Sequence, residues 1–163
     1  AAAGVPSWRL FTIFPSGRAD GVSELQITSE EYRRLIEFII STRREGRIAA
    51  SYCCEGFLGA YEGEVRDHFY NCQAGISVAS ILIDGSISGC ESIRADYVEG
   101  NIYCDDFMTV WNERFRRYRN RTWMRTGECG NCRFWRYCEG NGMHLRRSDG
   151  SLARCNLHHL LTP

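Results

Sequence analysis

The sequence predicts an α+β chain, and three features carry that expectation. A strand, helix, strand succession fills residues 1–54, an Asp-Gly hairpin and an amphipathic helix follow from residue 72, and an irregular, cysteine-rich tail closes the 163 residues. Trp8-Arg9-Leu10-Phe11-Thr12-Ile13-Phe14 is an apolar run closed by Pro15, Ser16 and Gly17, which predicts a buried strand running into a loop. Thr28 and Glu31 have capping-box spacing, Tyr32, Leu35, Ile36, Ile39 and Ile40 recur at helical spacing, and Gly46 marks the stop. A second strand is expected over Ile48-Ala49-Ala50-Ser51-Tyr52, ending at Cys53 and Cys54. Strand, helix, strand is the unit of a parallel sheet, so residues 1–54 are expected to be the last piece of a larger α/β domain.

The glycine-punctuated, charged stretch 55–71 is expected to be a linker. Ile81 to Ser88 predicts a hairpin with Asp84-Gly85 at its turn, both central residues taking positive φ, and it delivers Cys90 just past the second strand. A helix is expected from Asp105 or Asp106, with Phe107, Val110, Trp111, Phe115 and Tyr118 on its buried face.

The zero net charge hides an asymmetry. Residues 1–112 carry 16 acids against 9 arginines, whereas residues 113–163 carry 4 acids against 11, and all 20 basic side chains are arginine. No apolar run is long enough to span a bilayer and no targeting signal opens the chain, so a cytoplasmic protein is expected. The nine cysteines stand at 53, 54, 72, 90, 104, 129, 132, 138 and 155. An odd number cannot all pair within one chain, and without a secretory signal a disulfide framework lacks its usual setting. Cys129-Gly130-Asn131-Cys132, followed by Cys138 and Cys155, places four soft ligands in the arginine-rich tail. Such ligands select zinc or iron–sulfur clusters, and a metal held there would cross-link a segment with almost no periodicity.

Taken together, Cys72, a gap of 12 residues to Gly85, a gap of four to Cys90, then Cys129-x2-Cys132-x5-Cys138 and Cys155 form one pattern. It resembles the SPASM domain, the C-terminal extension of radical S-adenosylmethionine enzymes that mature peptides and proteins. Gly100-Asn101-Ile102 and the helix Phe107 to Asn112 resemble that family's "GNI … W" segment, and Arg119 or Arg121 falls where the family helix ends in arginine. The resemblance covers about residues 66–160, with six of seven cysteine positions filled.

The resemblance implies a division into three parts: 1–54 a remnant of a partial (β/α) barrel, 55–71 a linker, and 72–163 the SPASM domain. It also implies one or two auxiliary four-iron four-sulfur clusters. Cys129, Cys132, Cys138 and Cys155 would hold one; Cys72 and Cys90, with Cys54 in preference to Cys53 from upstream, would hold the other in part, because Gly142 stands where the family has a further cysteine. Glu91, next to Cys90, matches a carboxylate proposed as a base in sulfatase-maturing relatives. No CxxxCxxC occurs in the chain, so radical chemistry with S-adenosylmethionine is expected of a longer parent enzyme rather than of these residues alone.

The expected partner is a ribosomally made peptide or protein substrate, and Gly140-Asn141-Gly142-Met143-His144 suggests the subgroup associated with a small lipoprotein. Arginines interleaved with aromatics also suit a nucleic-acid surface, a weaker reading than guanidinium groups compensating negative clusters. The alternative from another class is a four-cysteine zinc ribbon that binds a protein or nucleic acid and catalyses nothing.

Overall fold

The computed structural model describes residues 4–53, 56–93 and 96–162, and the chain divides into two compact units, Ala1–Asn71 with Arg154–Pro163 and Cys72–Ala153. In the first unit, strand β1 (Ser7–Leu10), helix α1 (Ser29–Glu45) and strand β2 (Ala49–Tyr52) follow the predicted order, and the strands pair in parallel with Ser7 opposite Ala49 and Leu10 opposite Tyr52. The capping box forms as expected: Glu31 N–H donates to Thr28 Oγ1 at 3.2 Å, and Thr28 N–H donates to the Glu31 carboxylate at 2.8 Å. Gly46, at φ 68°, ends the helix in the left-handed conformation that glycine adopts without a Cβ clash. Tyr32, Ile36 and Ile39 are buried with Ala50, Tyr52, Leu58, Val65 and Leu160, while Leu35 and Ile40 flank that core.

Three expectations change here. The first strand is neither as long nor as buried as its apolar run suggested: it stops at Leu10, and Phe11 and Ile13 are 70% and 47% exposed. Among the described residues its one neighbouring strand is β2, of four residues, and the ladder ends with it, so Phe11 and Ile13 lie past the pairing. The stretch expected as a linker packs into the unit instead. Its helix α2 (Glu62–Val65) places Glu62 against Arg66, which is 1% exposed and donates to the carbonyls of Cys53 at 3.1 Å and Gly56 at 2.7 Å. The Glu62 carboxylate accepts from Leu58 N–H at 2.7 Å, Tyr70 N–H at 3.1 Å and the Arg66 guanidinium, so both buried charges are satisfied. Residues 154–162, expected with the cysteine-rich domain, likewise belong to the first unit. The terminal helix Asn156–Leu161 buries Leu157 and Leu160, and His159 bridges Ser29 Oγ at 3.1 Å and the Ile27 carbonyl at 2.9 Å.

The second unit is built on an antiparallel sheet of β3 (Ser80–Ile81), β4 (Ser86–Ser88) and β5 (Val98–Asn101), in that order, with a bulge at Ile87/Ser88. The hairpin is present, but its turn differs from the expected one. Gly85 N–H donates to the Leu82 carbonyl at 2.9 Å and only Gly85, at φ 84°, takes positive φ. That is a type I turn closed by a left-handed glycine, stabilised because the Asp84 carboxylate accepts from Ser86 N–H at 3.0 Å.

Helix α3 (Phe107–Glu113) is capped by Asp106, whose carboxylate accepts from Thr109 N–H at 2.7 Å, and α4 (Arg116–Arg119) continues it. Val110, Phe115 and Tyr118 are buried with Ile87, Tyr97, Met124 and Met143, and Phe107 and Trp111 pack at the edge. Gly100 permits the close approach of α3, since a Cβ there would lie 2.8 Å from Val110 Cγ2. The tail runs through short turns to α5 (Trp135–Cys138) and an isolated bridge between Arg146 and Leu152.

The backbone N–H of Asn101 and then the Arg114 guanidinium hold the Asp105 carboxyl below its ordinary range, and the Thr109 backbone does the same for Asp106. A carboxyl whose pKa is lower in the folded state stabilises fully above the unfolded value of about 3.9 and loses that contribution as pH falls through the folded value. Thermal melting of the chain should therefore hold steady at neutral pH and drop below about pH 4. Asp106→Asn, which caps without a charge, should keep the neutral-pH stability and lessen the acid loss.

Candidate metal centre

The two cysteines nearest the hairpin are positioned by one tyrosine. A Cβ on Gly89 would lie 2.3 Å from Tyr118 Cε1, and one on Gly75 would lie 2.3 Å from Tyr118 Cβ. The buried Tyr118 therefore packs directly against the residue preceding Cys90 and against the turn that follows Cys72. Its hydroxyl donates to the Tyr97 carbonyl and shares a hydrogen bond with Ser88 Oγ at 3.2 Å, and burial pushes its pKa up. Arg121, 5% exposed, donates to the carbonyls of Tyr118 at 2.9 Å, Cys72 at 2.6 Å and Ala74 at 3.4 Å. Cys72 and Cys90 are half-buried at the margin of this core, and Cys90 Sγ accepts from Ser92 N–H at 3.5 Å. Glu91 is exposed beside them.

In the tail, Cys129 ends a single helical turn, Gly127–Cys129, and Cys132 N–H donates back to its carbonyl at 3.4 Å. Cys138 is the last residue of α5, and Glu139, Gly140 and Asn141 then take φ of 47°, 85° and 75° in succession. Two non-glycine residues in the left-handed region make this a strained turn. Cys129 is the one buried cysteine among the described residues; Cys132 and Cys138 are half-buried. Its Sγ accepts a hydrogen bond from Arg146 Nη2 at 3.1 Å, and Arg146 is itself 3% exposed.

Sequence reasoning foresaw arginines near the cysteines as a class. It did not single out Arg146, whose spacing from Cys129 carries no local signal. Cys155 lies in the first unit, immediately before the terminal helix, and Cys54 lies outside the described residues. Cys53 N–H donates to the Leu10 carbonyl at 2.8 Å, extending the β1–β2 register, and Cys104 is exposed in the turn after β5.

Among the described residues, no three His, Cys, Asp or Glu side chains converge closely enough to hold one metal ion. The donor chemistry suits an iron–sulfur cluster: soft sulfurs on irregular backbone, one of them accepting a guanidinium N–H.

Comparison with known proteins agrees. Residues 72–133 match the family SPASM, described as an iron-sulfur cluster-binding domain. This segment is thus similar to a SPASM domain. The matched stretch opens at Cys72 and takes in Cys90, Cys129 and Cys132, while Cys138 and Cys155 lie beyond it. Two curated relatives are named AdoMet-dependent heme synthase, one from Nitratidesulfovibrio vulgaris and one from Oleidesulfovibrio alaskensis, each 25% identical over 154 residues and 84% of this chain. The chain spans 41% and 39% of their lengths. No solved structure is a significant match. No helix among the described residues is long and apolar enough to cross a membrane.

Proposed function

We propose that this chain is the part of a radical S-adenosylmethionine enzyme that carries auxiliary iron–sulfur clusters. The observation that carries the reading is the coincidence of the SPASM match with cysteines on loops that buried arginines and Tyr118 hold in place. Cys129, Cys132 and Cys138, with Cys155 as the fourth position of the sequence pattern, are the ligands of one four-iron four-sulfur cluster; Cys72, Cys90 and Cys54 are those of a second. When bound, such a cluster supplies one-electron transfer or an open iron for a substrate group. The protein's own contribution is to bury Cys129, donate hydrogen bonds to sulfur, and keep Cys72 and Cys90 at one edge of a common core. Glu91, exposed beside Cys90, is the candidate to take up a substrate proton.

The parallel β1–α1–β2 unit supports reading residues 1–54 as closing strands and helix of a partial barrel, with S-adenosylmethionine bound elsewhere in the parent enzyme. The substrate class that the cysteine pattern favours is a ribosomally made peptide or protein. One observation favours a second substrate class, a tetrapyrrole: relatives named heme synthase align over 84% of the chain, well past the SPASM segment. A nucleic acid is the poorer fit, because the Arg125, Arg133 and Arg136 guanidinium groups already lie over the rings of Trp135, Phe134 and Tyr137.

Anaerobic reconstitution should give a brown protein containing iron and sulfide, Cys129→Ala should lose the iron of one cluster, and Cys104→Ala should keep it all. Colourless protein holding one zinc and no iron would overturn the reading. Titration of haem into the iron-loaded chain separates the substrate classes. A saturable shift of the haem absorption band is expected if the tetrapyrrole reading holds, and an unchanged spectrum leaves the peptide reading.

A further inference from the structure

We infer that Arg146 is a positioning residue for the iron–sulfur centre, setting both the orientation of the Cys129 thiolate and the electron affinity of the cluster it ligates. The inference rests on the proposed cluster reading and extends it to a residue outside the cysteine pattern. Arg146 lies 13 residues beyond the end of the SPASM match and 17 from Cys129 in sequence.

Three observations converge on it. Its guanidinium is nearly sealed from solvent, so its charge must be balanced within the protein. Its donors are almost fully assigned: Nε and Nη2 donate to the Gly140 carbonyl at 3.1 and 2.7 Å, Nη1 donates to the Gly150 carbonyl at 3.0 Å, and Nη2 also reaches Cys129 Sγ at 3.1 Å. No carboxylate forms an ion pair with it among the described residues, and the one side-chain atom that its hydrogen bonds reach is Cys129 Sγ.

Gly140 supplies the third observation. A Cβ there would stand 3.0 Å from Arg146 Nη2 and 2.9 Å from Met124 Cβ, at a φ of 85° that disfavours any side chain. The strained turn after Cys138 thus leaves open the space that the guanidinium tip occupies. One arginine thereby joins the Cys138 turn and the Gly150 turn to the Cys129 sulfur. A positive N–H donor on a ligand sulfur stabilises the more negatively charged, reduced state of a cluster more than its oxidised state, so it raises the potential.

The test uses the full 163-residue chain, reconstituted anaerobically, with iron content, circular dichroism and the reduction potential of each cluster read together. Arg146→Lys keeps the charge but not the fork, and Gly140→Ala keeps the arginine but crowds its tip. Arg114→Lys is the control: Arg114 bonds the Glu99 carbonyl at 3.3 Å, pairs with Asp105 at 2.8 Å and holds no cysteine loop.

The expected result is a lowered potential for one cluster in Arg146→Lys and Gly140→Ala and an unchanged potential in Arg114→Lys. Iron lost from both site variants with the circular dichroism unchanged, and retained in the control, supports the positioning role; iron lost together with the folded spectrum overturns it. Potentials equal to that of the unaltered protein in both site variants, or iron lost from all three alike, would overturn it by leaving Arg146 a structural cross-link only. If the unaltered chain takes up no cluster, the underlying cluster reading fails first, and it fails visibly as a colourless protein.

Discussion

The second unit depends on guanidinium groups bonded to backbone carbonyls. Its sheet is three short strands and its longest helix, α3, has seven residues, so most of its carbonyls find no partner in regular structure. Buried carbonyls need donors, and arginine offers five in a fixed fork. Arg121 ties the Cys72 loop to the end of α4, Arg119 ties the Gly75 turn to α3, and Arg146 ties the turns at Gly140 and Gly150. Arg121 and Arg146 are buried while most other arginines of the tail are exposed, and Arg146 places its positive charge beside the Cys129 sulfur.

This bracing alters the role given to metal. From sequence, an irregular cysteine-rich tail looks like a segment that only a metal could hold. In the structure Tyr118, Met124, Met143 and Leu145 are each at most 1% exposed, and the arginine cross-links are in place around them. Side-chain packing and donor geometry brace the cysteine loops, so the proposed ligands stand on backbone that other side chains hold.

What was legible in the sequence was local. The capping box at Thr28 and Glu31, the buried face of α1 and the cap at Asp106 follow from spacing alone, because the groups that interact lie within one helical turn. The cysteine pattern was legible because its gaps are specific, and the SPASM match takes in Cys72, Cys90, Cys129 and Cys132 of it. The hairpin was legible but its turn type was not: whether Asp84 takes positive φ is decided by its own carboxylate bonding Ser86, which favours a type I turn. Arg146 was hidden because its partners are brought together only by tertiary structure. The return of residues 154–162 to the first unit was hidden too, since a six-residue helix has too few apolar positions to declare a face.

The central claim is that arginine cross-links and the Tyr118 core arrange the cysteine loops before any cluster binds. Hydrogen–deuterium exchange of the metal-free chain, read at the amides of Cys129, Cys138 and Glu139, tests it most directly. These amides donate to the carbonyls of Thr126, Phe134 and Trp135 at 3.0, 3.0 and 2.8 Å. Protection well above that of an unfolded chain, changed little by iron and sulfide, is the predicted result. Exchange at unfolded rates that slows only on cluster assembly would contradict the account.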